Sequence, residues 1–255
     1  MWKERLEKIR QYRELEDFSE ERQRICRERL RRCAKIMHYN ECNSDQNIYV
    51  DSQHSLAVGQ RNVRFGKYNW RVLDVQNGKA LLLTEDVIEQ CCYHSSLERI
   101  TWEGCELRGY LNGEFLQTFS SSEQNRIASV TNTNPDNPWY GTPGGGDTTD
   151  KVFLLSLDEV VKYFGDSGDL RARKDNGLRD HINDQYNEAR MAKYGKTSNR
   201  FIPIGQAAWW WLRSPGGGVD KFAFAAVVDS DGWLLIDGGF VGDGGGVRPA
   251  LWLNL

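Results

Sequence analysis

The forty-nine residues from Ala207 to Leu255 constrain this chain more than any other stretch of it. They open Ala207-Ala208-Trp209-Trp210-Trp211-Leu212-Arg213-Ser214-Pro215-Gly216. They close Gly246-Val247-Arg248-Pro249-Ala250-Leu251-Trp252-Leu253-Asn254-Leu255. Both flanks are aromatic and aliphatic with single Arg and Pro punctuation, the composition of buried strands. Between them lie small and polar residues among which large side chains fall without a period. A stiff frame around a chemically free interior suits a scaffold that displays its middle.

The rest of the chain bounds what that scaffold can be. At 255 residues it forms one large domain or a domain with an appendage, and nine Trp supply material for a core. A net charge of −3 creates no global field toward nucleic acid, so no nucleic-acid partner is expected. No apolar run reaches the length of a membrane span. Met1-Trp2-Lys3-Glu4-Arg5 is not followed by the apolar stretch of a signal peptide, so a cytoplasmic location is the default expectation. Six Cys without a Cys-x-x-Cys pair favour reduced thiols over a disulfide framework.

Residues 1–45 form a helical N-terminal segment, rich in Glu, Arg and Leu and free of Pro. Trp2, Leu6 and Ile9, then Ile25, Leu30, Cys33 and Met37, give two rough apolar stripes, and Ser19-Glu20-Glu21 is an N-cap signal between them. Twelve Lys/Arg against eight Asp/Glu in residues 1–40 leave this piece at +4 and the remainder at −7. The acids are interspersed with the bases. That favours a helical pair that self-associates or packs on the main domain over a basic arm.

A main domain is expected over 46–255. A polar connection holds the short strand Ile48-Tyr49-Val50, and from Val63 the period changes to two. Strand-like runs flank Asn77-Gly78, the clearest hairpin signal in the chain. Thr101–Ile127 reads as helix, ending in Ser120-Ser121-Ser122-Glu123, which starts another. Asn132–Asp150 is a long loop, Val152–Ser156 a strand, Leu157–Phe164 a helix stopped by Gly165, and Leu178–Lys193 a further helix. In the C-terminal frame, Phe222–Val228 is a strand and Asp229-Ser230-Asp231-Gly232 a hairpin turn. Trp233–Ile236 returns, Asp237-Gly238-Gly239 turns again, Phe240-Val241 is a short strand and Val247–Asn254 closes. Alternation places Val228, Leu234, Val241 and Val247 inward and Val227, Asp229, Trp233 and Leu235 outward.

Signals for chemistry are weak. His38, His54, His94 and His181 lack metal-ligand spacing. Cys91-Cys92 are read as partly buried thiols rather than a strained vicinal disulfide. Gly144-Gly145-Gly146-Asp147 lacks the Gly-Lys-Ser/Thr of a phosphate loop. Asp229-Ser230-Asp231-Gly232 opens like a calcium loop but has no bidentate Glu at the required distance. No cofactor and no catalytic residue is expected.

Trp210-Trp211-Leu212-Arg213-Ser214-Pro215-Gly216, then Ala225-Ala226-x-Val228-x-x-Asp231-Gly232, Gly238-x-x-Val241 and Gly246-Val247-Arg248-Pro249-Ala250-Leu251-Trp252-Leu253, resemble the variable proteins of diversity-generating retroelements. The nearest likeness is to their branch with a C-type-lectin-like domain of the formylglycine-generating-enzyme type. Trp70-Arg71-Val72-Leu73, Leu107–Phe115 and Lys151–Ser156 agree, so the resemblance spans Val63–Leu255. It implies an α+β fold: small antiparallel sheets, two flanking helices and long irregular loops, preceded by the N-terminal helices. It also implies a variable region over about 209–255.

In that family a reverse transcriptase rewrites template adenines in Asn-type codons while the frame stays fixed. The implied ligand-binding surface is Phe222, Phe224, Val227, Asp229, Ser230, Trp233, Leu235, Ile236, Asp237, Gly239, Phe240, Gly242, Asp243, Gly244 and Gly245. Randomised Asn codons reach Asp229, Ser230, Leu235, Ile236, Asp237, Gly239, Phe240, Gly242, Asp243, Gly244 and Gly245, but not Trp233 or Lys221. Trp233, Phe240, Phe222 and Leu235 would be the anchors, with Asp229, Asp237 and Asp243 giving polar selectivity. The many glycines predict a weak or narrow binder.

The expected function is non-enzymatic binding of a protein or other macromolecular ligand. A formylglycine-generating oxidoreductase would need a reactive Cys pair, and the frame has no Cys. Calcium-dependent sugar binding would need a carboxylate–amide cluster, for which Asn134-Pro135-Asp136-Asn137 is the one suggestion.

Overall fold

The structure is a computed structural model that describes residues 62–96, 98–172, 180–195, 204–217 and 223–255. The N-terminal helices, the strand at Ile48–Val50, Lys221 and Phe222 lie outside the described residues. What is described is α+β: two six-stranded sheets, two two-stranded sheets and short helices. Strands and helices are numbered in chain order.

The first sheet grows from the Asn77-Gly78 hairpin. β1 (Asn62–Phe65) pairs β2 (Tyr68–Gln76), which pairs β3 (Lys79–Thr84), all antiparallel. Asn77 and Gly78 both take positive φ, 52° and 68°, so the two-residue turn matches the twist of its strands. Ala80 to Leu83 are buried without alternation because β3 is covered on both faces. The chain end supplies the cover along one edge. β16 (Ala250–Asn254) pairs β3 with Leu251 opposite Leu82, and also pairs β5 (Ile127–Ala128) and β8 (Val152–Phe153).

The second sheet has the order β4 (Glu89–Cys91), β15 (Gly245–Val247), β12 (Trp210–Pro215), β13 (Phe224–Val228), β14 (Leu234–Phe240) and β9 (His181–Ile182). β12 and β15 run parallel, with Trp210 opposite Gly246, so this sheet is mixed rather than antiparallel throughout. The inward assignment of Val228, Leu234, Val241 and Val247 holds, each being fully buried.

Three expected elements are corrected. The closing strand Val247–Asn254 is two strands in two sheets, broken at Arg248-Pro249. Proline has no N–H for a ladder, and the Arg248 guanidinium turns inward between Trp210 (4.9 Å) and Phe164 (5.7 Å), donating from Nε to Thr84 O at 2.9 Å. Burial, with Arg71 nearby, lowers its pKa to about 9 against the opposing pull of Glu85 and Asp86. The frame's single Arg-Pro step is thus the crossing between the two sheets.

The helix expected over Thr101–Ile127 is a broken series. A 3₁₀ turn (Trp102–Gly104) leads to α1 (Glu106–Tyr110), a π turn (Leu111–Phe115), another 3₁₀ turn (Leu116–Thr118) and α2 (Ser121–Arg126). Gly104, Gly109 and Gly113 weaken it. Asn112 is diverted to Val152 O at 2.8 Å and accepts from Lys151 N at 2.9 Å. Ser120 caps α2 with a reciprocal Glu123 capping box, as its sequence indicates. α3 (Leu157–Phe164) matches its expected bounds, with the same box at Ser156 and Glu159 and an end at Gly165.

The helix expected over Leu178–Lys193 is instead β9, the single turn α5 (Asn187–Arg190) and β10 (Ala192–Lys193), which pairs β11 (Ala207–Ala208). α4 (Asp169–Ala172) precedes it. The Asp184 carboxylate explains the break, since it accepts from Tyr186 N at 2.9 Å and holds Arg190 with two bonds.

The long loop after β6 (Val130–Asn132) returns through β7 (Thr148–Asp150), which pairs it. The fully buried carboxylate of Asp150 gathers the region. It accepts from Trp102 Nε1 (3.1 Å), Arg108 Nε (2.6 Å), Asn132 Nδ2 (3.0 Å) and Thr148 Oγ1 (2.7 Å). Among the described residues no helix is long and apolar enough to cross a membrane, and no group of three or more His, Cys, Asp or Glu is placed to hold a metal.

Candidate functional site

β14 carries the alternation that makes a surface. Leu234, Ile236 and Phe240 are buried, whereas Leu235, Asp237 and Gly239, with Trp233 just before the strand, are half-exposed. Cross-strand register extends the half-exposed side into a row: Trp211 opposite Val227, Val227 opposite Leu235, Leu235 opposite His181. The row runs from core to solvent, Trp211 and Val227 being buried and Leu235 and His181 half-exposed. Val227 was expected to face outward. Its side chain does share that face, but Leu235 and Trp211 flank it in the row and it is buried, so that expectation is corrected.

The turn leading into β14 is fixed from two sides. Asp229 Oδ1 accepts from Asp231 N and Trp233 N, both at 2.8 Å, and Gly232 N donates to Asp229 O at 3.1 Å. This is the hairpin turn expected for Asp229–Gly232. Gly232 takes φ 81°, and a Cβ there would lie 1.9 Å from Asn187 O, so the turn rests directly on α5. Beneath it Arg190 is fully buried, bound by both oxygens of Asp184 (2.7 and 2.8 Å). Burial alone would raise the Asp184 pKa. The bonds from Arg190, Tyr186 N and Ser167 outweigh it and hold the carboxyl below its ordinary range.

The second expected turn, Asp237-Gly238-Gly239, does not reverse the chain. β14 continues through it with a register shift opposite Ala225 and Val227, and Gly238 adopts φ 79°. A Cβ on Gly238 would lie 2.0 Å from Ala225 O, so this bulge requires glycine. Gly239 differs in degree: its Cβ would meet Trp211 Cζ3 at 3.3 Å and Val227 Cγ1 at 3.5 Å, so the position faces the buried indole and takes only a small residue.

Trp233 and His181 complete the surface. Their rings stack with centroids 4.7 Å apart and 14° between planes. His181 Nδ1 lies 2.7 Å from Asp180 Oδ1, and Asp180 O accepts from Ile236 N (2.9 Å) and Asp237 N (3.2 Å). His181 and Asp180 lie outside 209–255 and were missed because their stretch reads as helix. The signal that could have found them is the β-branched Ile182 flanked by turn-forming Asp and Asn.

The expected surface residues therefore divide. Ser230, Trp233, Leu235, Asp237 and Gly239 gather on the turn and the outer row of β14, with Asp229 at its base. Phe224 is half-buried on the opposite face, edge-on to Phe240 at 5.9 Å. Ile236 and Phe240 are core residues, which corrects their assignment to the solvent-facing surface. Gly242, Asp243 and Gly244 are half-exposed on a separate loop, tied down by Gln90 Nε2 on Gly244 O at 2.7 Å. Gly245 is buried, and a Cβ there would lie 2.4 Å from Trp211 Nε1 and 2.5 Å from Trp209 Cζ3. Trp211 cannot yield easily, because its Nε1 donates to Cys91 O at 3.0 Å. Gly245 is thus corrected as well: packing dictates glycine.

The other chemical suggestions resolve into architecture. Asn137 donates to Pro215 O (2.7 Å) and Ile236 O (2.8 Å) and accepts from Trp139 N and Tyr140 N, tying the long loop to the second sheet. Asp136 accepts from Gly144 N at 3.1 Å and Asn134 donates to Gly146 O at 2.8 Å, so these two side chains bond within the loop while Asn137 reaches the sheet. Cys91 and Cys105 are buried thiols outside any disulfide, and burial pushes the Cys105 thiol up to about 12. Cys92 is disulfide-bonded, which corrects the expectation of a reduced thiol at that position; Cys91 is outside any disulfide, so the bond is not vicinal.

No curated protein and no solved structure matches the chain significantly. Residues 77–255, which include both sheets' central strands and the whole β13–β14 surface, match the family model described as Domain of unknown function (DUF6273). With well over half its length matched, the chain belongs to that family.

Proposed function

We propose that this protein is a non-enzymatic binding module with a C-type-lectin-like domain, whose outer β14 row is diversified by adenine-directed mutagenesis to meet macromolecular ligands. One observation carries the reading. Ser230, Leu235 and Asp237 are half-exposed on a backbone fixed by Gly232, Gly238, Arg190 and the buried residues of β14. Side chains there can change at small cost in stability, because the fold depends on the residues between them. The three positions are also reachable from randomised Asn codons.

Thiol oxidation has less support. A Cys105 thiol pushed up to about 12 is a poor nucleophile at neutral pH.

The test is a displayed library of the full chain, randomised at Ser230, Leu235 and Asp237 and selected against a panel of purified surface proteins. The reading expects most members to fold and some to bind. Widespread misfolding, or an absence of binders from a well-folded library, would overturn it.

A further inference from the structure

His94 lies away from the β14 row, where the segment after β4 meets both α1 and the end of β14. We infer that His94 is a proton-operated latch. Its neutral ring holds the first residue of α1, and its protonated ring exchanges that bond for the Glu106 carboxylate, shifting the segment that leads into the Gly242–Gly244 loop. The inference stands whatever the β14 row binds.

One ring nitrogen faces two groups of a single residue. His94 Nδ1 accepts from Glu106 N at 3.3 Å. Glu106 opens α1, so its N–H is one of those that a helix leaves without an internal partner. An imidazole accepts only at a bare nitrogen, so the neutral ring carries its proton on Nε2. The Glu106 carboxylate waits beside the same nitrogen, with Oε2 4.0 Å from Nδ1. Ser95 holds it there, donating from N to Oε2 at 2.9 Å and from Oγ to Oε1 at 2.7 Å. Protonation puts a hydrogen on Nδ1, which then opposes the hydrogen of Glu106 N. The bond to that amide breaks, and a shift of about 1 Å brings Nδ1–H within charge-assisted reach of Oε2.

The ring is coupled to the frame through backbone. Tyr93 N and His94 N both donate to Val241 O, at 2.9 and 3.1 Å, and Tyr93 O accepts from Leu107 N at 3.2 Å. Residues 93 and 94 are thus clamped between α1 and the residue that starts the Gly242–Gly244 loop. Glu106, on α1, and Glu98, on the ring's own segment, are the charges acting on it, and both favour the imidazolium. Tyr93 and Cys105 flank the site and burial keeps both neutral. Burial of the ring outweighs the two carboxylates and holds His94 below its ordinary 6.5. A group whose pKa falls on folding contributes stability above its unfolded value and loses it as pH drops through the folded one. The latch is therefore closed above 6.5 and opens as pH falls below it.

The experiment is a magnetic-resonance titration of the isotope-labelled full chain from about pH 8 to about pH 5, following the ring nitrogens and the backbone amides. The His94 ring should be the Nε2–H tautomer at the alkaline end and titrate below 6.5. The amides of Glu106 and Gly242 should move with the same midpoint. Protection of the Glu106 amide against exchange, corrected for its intrinsic rate, should fall about five-fold across the transition. Glu106→Gln removes a group that favours the imidazolium and should lower the ring's midpoint further. His94→Asn supplies an amide oxygen that accepts at any pH, so it should fold and abolish the response of both amides. An Nδ1–H tautomer at the alkaline end, a Glu106 or Gly242 amide that ignores the ring, or an unchanged response in His94→Asn would each overturn the inference.

Discussion

The indole of Trp233 lies nearly parallel to the imidazole of His181, 4.7 Å away, although the two belong to distant segments of the chain. The contact joins the β13–β14 turn to β9, the edge strand of the second sheet. It places a side chain from outside the C-terminal frame at the centre of the surface that the frame builds. His181→Ala should therefore leave the core intact and cost about 0.5–1.5 kcal/mol, the scale of one aromatic pair. Urea denaturation would measure that loss, and tryptophan anisotropy would report the freed indole.

The glycines of the frame should not be equivalent. Gly238→Ala meets a positive φ and a backbone oxygen at 2.0 Å, and Gly245→Ala meets two indoles. Each should lower stability by about 2 kcal/mol or more. Gly239→Ala, whose nearest contact is 3.3 Å from a buried ring and whose φ is not positive, should cost less than either. Thermal melting of the three variants side by side checks the order.

Asp150→Ala should be among the most damaging single changes. It strips the acceptor from Trp102, Arg108, Asn132 and Thr148 at once, leaving buried donors and a cation without their partner. A loss of about 3–5 kcal/mol is expected. Chemical denaturation gives the number, and proteolysis within 133–147 should accelerate in parallel.

Acid should weaken the protein through Asp184 and Glu85. The Arg71 hydrogen bond holds Glu85 below its ordinary 4.5 against the opposing effect of burial. Asp184 sits below its ordinary 3.8 because the bonds from Arg190, Tyr186 N and Ser167 outweigh burial. A carboxyl whose pKa falls on folding contributes stability above its unfolded value and loses it as pH drops through the folded one. Urea midpoints should therefore fall as pH drops below about 4.5. Asp184→Asn should lower stability at neutral pH and flatten the acid limb.

Much of the frame was legible before any coordinates, and particular residues show why. Asn77-Gly78 and the Ser156–Glu159 box are local devices whose partners lie within a few positions, so the chain writes them out in full. Val228, Leu234, Val241 and Val247 are buried as expected, although only Leu234 lies in an alternating stretch. The errors arose where distant contacts decide. Arg248 splits the last strand because Trp210 and Phe164 await its guanidinium, and Asn112 breaks the long helix because Val152 offers a carbonyl. Ile236 and Phe240 fit the codon grammar yet lie in the core, since a codon says nothing about which way a strand faces. His181 entered the surface through a pairing with Leu235 that no local pattern announces.

The central claim is that the outer row of β14 varies while its frame is fixed. Its most direct measurement is the genomic sequence around the coding segment for 209–255, compared with any second copy of that segment nearby. The account predicts a near-identical copy differing at adenines, with the differences falling in the codons for Ser230, Leu235 and Asp237 and sparing those for Gly232, Gly238 and Gly245. Absence of such a copy, or differences spread through Trp210–Leu212 and Ala250–Leu253, would contradict it.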